Sequence, residues 1–177
     1  ITAKTNMIRN RLIELGASAD RIERIIWGVD THAFSPGDQQ AARQALGLPT
    51  DRPLIVSLRN LSPEQNIDLV IEAMPRIVES HPRAMLLLTE HNAKPAYRRQ
   101  LVEQIEALGL GDHVRWLGTT GRDHMPMLLR AADVSVSLKP TDGMPQSMLE
   151  AMACGCVNVM ADLPMYHELV AHQRSAY

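Results

Sequence analysis

The feature that most constrains this chain is a run of five residues, Leu54-Ile55-Val56-Ser57-Leu58, without charge and without polar alternation. A strand that is apolar on both faces has to be covered on both faces, as parallel strands in α/β sheets are. A different period follows it. Ile67, Val70, Ile71, Met74, Ile77 and Val78 recur at helical spacing, with Pro75 expected to kink the helix. The two periods then alternate to the end of the chain. Strands are read at Ala84 to Thr89, Val114 to Leu117, Asp133 to Leu138 and Cys156 to Met160. Helices are read over Leu101 to Leu108 with Gly109 as stop, Met127 to Ala131, Ser147 to Ala153 and Pro164 to Val170. Ahead of the run, Ile8, Leu12 and Leu15 share a helical face between a Thr5 cap and a Gly16 stop. Arg24-Ile25-Ile26-Trp27 reads as a short strand, and Asp38 to Leu46 as a short helix closed by Gly47. Six strands alternating with helices predict a doubly wound parallel sheet with helices on both faces.

Composition removes several functional classes. The 177 residues are 45% hydrophobic and 21% charged, a globular make-up and the size of one domain. A formal charge of −2 lacks the basic excess of a nucleic-acid binder, so no nucleic acid is expected as a partner. The charge-free segment from Ala151 to Ala161 falls far short of the roughly 20 residues of a membrane span. Membrane association is therefore expected only through regions outside this sequence. Cys154 and Cys156 are too few and too close for a disulfide scaffold, which points to a reducing cytosol. No basic, apolar leader opens the sequence, and a cytoplasmic location is expected. The chain starts at Ile1 and its last helix is still running at Tyr177, so it reads as an excerpt of a larger protein.

In an open α/β sheet, ligands bind at the carboxyl ends of the strands near a switch in strand order. The strand reading therefore yields a set of loops: Arg59-Asn60, Glu90-His91-Asn92, Thr119-Thr120, Lys139 to Gly143, and Asp162. The most unusual is Lys139-Pro140-Thr141-Asp142-Gly143-Met144-Pro145-Gln146, which leads straight into a helix. Free backbone N–H groups and the helix dipole make such an end an anion site, and Arg59 could add a bidentate phosphate contact. Plainer readings stand beside these. Asp142-Gly143 is a common turn pair. The spacing Ser147-Met148-Leu149-Glu150 favours a capping box over a ligand role. Arg59 can be a solvated loop arginine. Cys154 and Cys156 have no nearby histidine and read as core thiols, so no metal is expected. His167 and His172 are five apart, which splits them across helix faces. Met144, Met148, Met152 and Met160 read as packing. No Gly-x-Gly-x-x-Gly follows a strand and no Gly-Lys-Ser/Thr loop occurs, against dehydrogenase and NTPase readings.

The segment from Asp142 to Gly155, Asp-Gly-Met-Pro-Gln-Ser-Met-Leu-Glu-Ala-Met-Ala-Cys-Gly, resembles the Glu-x7-Glu signature of retaining GT-B glycosyltransferases. These are the glycogen-synthase-like and mannosyltransferase-like glycosyl transferases of group 1. Four further stretches agree in order: Gly28-Val29-Asp30 with Phe34 and Pro36, Arg59 with Asn66-Ile67-Asp68, His113 to Gly118, and Ala132-Asp133-Val134. The resemblance implies the C-terminal half of a GT-B fold, a Rossmann-like sheet binding a nucleotide-diphosphate sugar (UDP- or GDP-linked) without cofactor or metal. It implies that Glu150 bonds the ribose hydroxyls and that Asp142 faces the donor sugar. It gives the segment Gly143, Met144, Pro145 and Gln146 the task of cradling sugar and phosphate. Arg59 matches the arginine on the leaving diphosphate, with Asn60, Gln65 and Ser147 beside the same ligand. The acceptor would be bound by a missing N-terminal domain, and the fragment alone would be inactive.

Four positions depart from the pattern. Asp142 stands where Glu is usual, Leu58 where Gly precedes the arginine, Gln65 where a lysine clamps the diphosphate, and Thr89-Glu90-His91 where glycines follow a strand. The neutral Gln65 keeps open a degenerate domain that binds nucleotide or a partner without turnover. A related epimerase or phosphorylase is a further alternative. A receiver-like module would need clustered acids after its first strand, and Gly28-Val29-Asp30 offers one.

Overall fold

A computed structural model describes residues 1–170. The chain opens with β1 (Thr2–Ala3), α1 (Asn6–Glu14) and β2 (Glu23–Arg24). After α2 (Gln39–Ala45) come β3 (Leu54–Ser57), α3 (Ile67–Ser80), β4 (Met85–Leu88), α4 (Pro95–Ala107) and β5 (Val114–Trp116). Then follow α5 (Met125–Ala131), β6 (Val134–Ser137), α6 (Gln146–Ala153) and β7 (Val157–Met160). The main sheet is wholly parallel in the order β5-β4-β3-β6-β7. It grows outward from β3 in one direction and then restarts at β6 on the other side. The switch in strand order therefore lies between β3 and β6.

The alternation of side chains explains why both faces are covered. Leu54 and Val56 of β3, with Met85 and Leu87 of β4, enter a core under α2, α5 and α6. Leu86 and Leu88 enter a second core under α3 and α4, with Ile55 packed against it. Each such leucine, fully buried, contributes roughly 1.5–3 kcal/mol. Thr5 caps α1 by accepting the Ile8 N–H at 3.2 Å, and Asp38 caps α2 by accepting that of Ala41 at 3.0 Å. Gly16, Gly47 and Gly109 leave their helices with φ of +94°, +59° and +65°, values a side chain would strain. Helix α3 continues through Pro75 to Ser80.

The main sheet holds five strands, one fewer than the six read from the sequence. The Arg24 to Trp27 segment pairs only with β1, in a separate parallel pair, and it pairs only as far as β1 reaches. Ile25, Ile26 and Trp27 stay exposed, with the Lys4 ammonium 3.2 Å from the centre of the Trp27 ring. The expected helix from Pro164 to Val170 is a single 3-10 turn, Tyr166–Glu168. Its Glu168 carboxylate accepts the backbone N–H groups of Asn6 (2.9 Å) and Met7 (3.3 Å) and pairs with Arg24 at 3.2 Å. The segment after β7 is thereby tied to the start of the chain. The readings on His172 and on a helix reaching Tyr177 lie outside the described residues.

Candidate active site

Arg59 leaves the carboxyl end of β3, beside the end of β6. Its Nε donates to Ser137 Oγ at 2.7 Å, and its Nη2 lies 3.2 Å from Asp142 Oδ2. Both ionised side chains are 13% exposed, so Arg59 is a held cation and not a solvated loop arginine. The other Asp142 oxygen accepts the Gly143 N–H at 2.8 Å. Tyr166, from the turn after β7, donates its hydroxyl to Asp142 Oδ2 at 3.3 Å. Burial pushes the Tyr166 phenol up to about 12; the Asp142 charge adds to the rise and the Arg59 charge opposes it. Across the switch point, Asn66 Nδ2 donates to the Leu138 carbonyl at 2.9 Å from a left-handed backbone, a conformation asparagine tolerates.

The loop from Lys139 enters α6 with Met144 and Pro145 buried. Pro145 is the cap residue, and no side chain caps this helix. Among the described residues, the N–H groups of Met144, Gln146 and Ser147 meet no acceptor. Open amides at the positive end of a helix dipole suit an anion. Gln146 Nε2 donates to the Gly28 carbonyl at 2.8 Å, which ties the Gly28-Val29-Asp30 turn to the site.

The capping-box reading of Ser147 and Glu150 is corrected here. The cap is Pro145, two residues before Ser147, so Ser147 lies inside the first turn and Glu150 points from the next. Glu150 is 9% exposed and makes no side-chain hydrogen bond among the described residues. Burial pushes its carboxyl above the usual range, opposed by the charge of Arg122. A largely buried carboxylate with no protein donor is suited to a ligand that brings hydroxyls.

The sequence-predicted residues do not all converge. Arg59, Asp142 and Gly143 touch in one cluster, and Arg59 shares a narrow crevice with Ser147. Asn60 and Gln65 lie on the neighbouring loop. Asn60 Oδ1 accepts from Asn92 at 3.3 Å, and half-buried Gln65 closes a one-turn helix, Pro63–Gln65. Ser137 and Tyr166 escaped the sequence reading. Ser137 ends a strand beside Arg59, and strand order alone could have pointed to it. A wider hollow of about 480 Å³ lies beside β5, between Leu48, Arg115, Leu117, Thr120 and His124, and neither Arg59, Asp142 nor Glu150 lines it. Cys154 and Cys156 are buried, and burial pushes the Cys156 thiol up to about 12, in keeping with packing. Among the described residues no three His, Cys, Asp or Glu side chains group as a metal site, and no helix is long and apolar enough to cross a membrane.

The switch point of this parallel sheet gathers an arginine, open helix amides and a largely buried carboxylate, groups whose chemistry suits a phosphorylated, hydroxyl-bearing ligand. The chain belongs to the family described as glycosyl transferases group 1, whose sequence model matches residues 38–177. It is 28% identical over 185 aligned residues to D-inositol 3-phosphate glycosyltransferase 2 of Catenulispora acidiphila, an alignment covering 99% of this chain and 43% of that protein. Among solved structures it resembles HepE of Anabaena in complex with UDP-glucose, with TM-score 0.83, 25% identity, and coverage of 97% of this chain and 47% of HepE. It also shares the fold of the C-terminal domain of the group 1 glycosyl transferase LpcC from Francisella tularensis. There the TM-score is 0.75 at 22% identity, covering 85% of this chain and 78% of that domain. The chain spans less than half the length of the curated relatives it matches.

Proposed function

We propose that this chain is the donor-binding, C-terminal domain of a retaining glycosyltransferase, which moves a sugar from a nucleoside diphosphate to an acceptor hydroxyl without a metal. The observation that carries the reading is the meeting of Arg59 with the open amides of α6 at the switch point. Negative charge grows on the leaving diphosphate in the transition state, and a cation and N–H groups placed there beforehand lower the barrier. Arg59 has that part. Its Nη1 makes no hydrogen bond among the described residues and is available to a phosphate oxygen. Glu150 accepts the ribose hydroxyls, which supply the donors its buried carboxylate lacks. Asp142 and the segment Gly143 to Gln146 face the sugar and phosphates, with Ser147 beside them and Asn60 and Gln65 at the rim.

The acceptor is bound by a domain outside this sequence, and the isolated chain binds nucleotide without turning over. Coverage of about half of HepE, and the likeness to a domain described as C-terminal, support the half-enzyme reading. The neutral Gln65 favours a second reading, a domain that binds donor or partner without turnover. Melting the chain with UDP-glucose, GDP-mannose and ADP-glucose tests donor binding, because a ligand held by the folded state raises Tm. A rise with one nucleotide class supports the proposal, and no rise with any would overturn it. Donor hydrolysis or transfer by the full-length protein separates enzyme from non-enzyme.

A further inference from the structure

Three contacts converge on one carboxylate. Asp142 Oδ2 is shared between Arg59 Nη2 at 3.2 Å and the Tyr166 hydroxyl at 3.3 Å, while Oδ1 is engaged by its own loop at the Gly143 N–H. Tyr166 is 2% exposed. It belongs to a one-turn helix whose Glu168 is fastened to the amides opening α1 and to Arg24. An aspartate on a connecting loop is therefore gripped by a side chain with nowhere else to go. We propose that Tyr166 is a positioning residue: its hydroxyl holds the Asp142 carboxylate, which in turn holds the Arg59 guanidinium at the mouth of the anion cradle. The function of that arrangement rests on the donor-site reading of Arg59.

Geometry and charge act in the same direction. Arg59 sits on a flexible stem, held by Ser137 on Nε and by Asp142 on Nη2 with Tyr166 close by, and its Nη1 makes no hydrogen bond among the described residues. The Asp142 charge also competes with a diphosphate for that guanidinium. An O–H donated to the shared oxygen satisfies part of the carboxylate's demand, so the arginine is steered without being fully consumed. The phenol remains a donor throughout the physiological range because burial keeps its proton on. Without the hydroxyl, a carboxylate only 13% exposed turns to Arg59 for the missing donor, and the cation is withdrawn from the ligand.

The test is Tyr166→Phe, which keeps the ring and its packing, read by titration with UDP and GDP, each against its own nucleoside. For whichever base binds, loss of one charge-coupled hydrogen bond should weaken the diphosphate about fivefold and leave the nucleoside unchanged. In an Asp142→Asn background the same substitution should have almost no effect, because the two residues act through one contact. Equal losses for diphosphate and nucleoside would mean that Tyr166 merely packs, and undiminished diphosphate affinity would overturn the inference outright. The Arg59 Nε–H resonance of the ligand-free protein gives a readout that needs no nucleotide. It should move in Tyr166→Phe, and a stationary signal counts against positioning. A protein that binds no nucleotide while this resonance moves would refute the donor site and leave the contact chain standing.

Discussion

Two arginine–aspartate pairs flank the same two strands at opposite ends, and their difference separates a staple from a site. At the amino ends of β3 and β6, Arg43 is 4% exposed and every nitrogen is engaged. Its Nε donates to the Ala131 carbonyl at 2.9 Å, Nη1 to that of Arg52 at 3.0 Å, and Nη2 to Asp133 at 2.8 Å. Asp133 in turn accepts the Leu54 N–H at 2.7 Å, locking the first residue of β3. At the carboxyl ends, Arg59 makes two contacts and leaves one nitrogen open. A saturated guanidinium holds the fold, whereas an unsaturated one keeps a donor for the ligand we propose. Asp133 and Arg59 both lie in stretches that resemble the family, and only a count of their hydrogen bonds tells the two roles apart.

The largest effect that could break this contrast is at the staple. Arg43→Ala strips three carbonyl partners and one carboxylate of their donor, so denaturant unfolding should show a loss of about 3 kcal/mol. Nucleotide affinity of the remaining folded molecules should hold. Arg59→Ala should do the reverse. Its removal should weaken diphosphate binding roughly 10- to 100-fold, the worth of a charged hydrogen bond, with stability changed by about 1 kcal/mol or less. If Arg43→Ala abolished binding in folded protein, or Arg59→Ala unfolded it without touching affinity, the two ends would not differ as argued.

Much of the fold was legible because it rests on local chemistry. Thr5 and Asp38 cap where their side chains permit, and the doubly apolar runs at Leu54 and Met85 lie between two helical layers. The rule that ligands sit at carboxyl ends singled out Arg59 and the loop at Asp142, which the structure brings into contact. What failed was whatever depended on distant neighbours. Ile25-Ile26-Trp27 has the residue types of a strand, yet β1 is too short to pair with it. Ser147 and Glu150 have the spacing of a capping box, but the helix, capped at Pro145, starts two residues too early for it. Tyr166 reaches Asp142 from a segment that reads as a plain helix in the sequence, so nothing in its neighbourhood announced the contact.

Glu150 sharpens the comparison from the side of pH. Its folded-state carboxyl lies above its ordinary 4.5, with burial as the main cause. The folded state therefore holds this proton more tightly than the unfolded chain. The contribution to stability is complete below the ordinary value and is lost as pH rises through the raised one. Glu150→Gln removes the buried charge and should be more stable than wild type at neutral pH by about 1 kcal/mol, an advantage that vanishes near pH 4. Unfolding curves at both pH values check this. Bound nucleotide should narrow the gap, since ribose hydroxyls would solvate the carboxylate.

The smallest expected effect is a gain. Gln65 lies six residues after Arg59, at the end of the turn Pro63–Gln65, and the next residue, Asn66, is pinned to Leu138 across the switch point. The residue after Gln65 is thus fixed to the strand end that leads into the Asp142 loop, which is the ground for placing a cation there as a test. A unit pair about 4 Å apart in a partly solvated cleft is worth on the order of 1–4 kcal/mol before desolvation and side-chain ordering are subtracted. Gln65→Lys should therefore tighten the cognate nucleoside diphosphate by roughly 1 kcal/mol, about fivefold, leaving the nucleoside unaffected. The gain should shrink as salt rises, because Gln65 is only half-buried and its charge would be screened. Titrations of both proteins at low and high salt decide the matter. Equal affinities at low salt, in a variant that melts like wild type, would place Gln65 outside the phosphate site and leave Arg59 as the cation there.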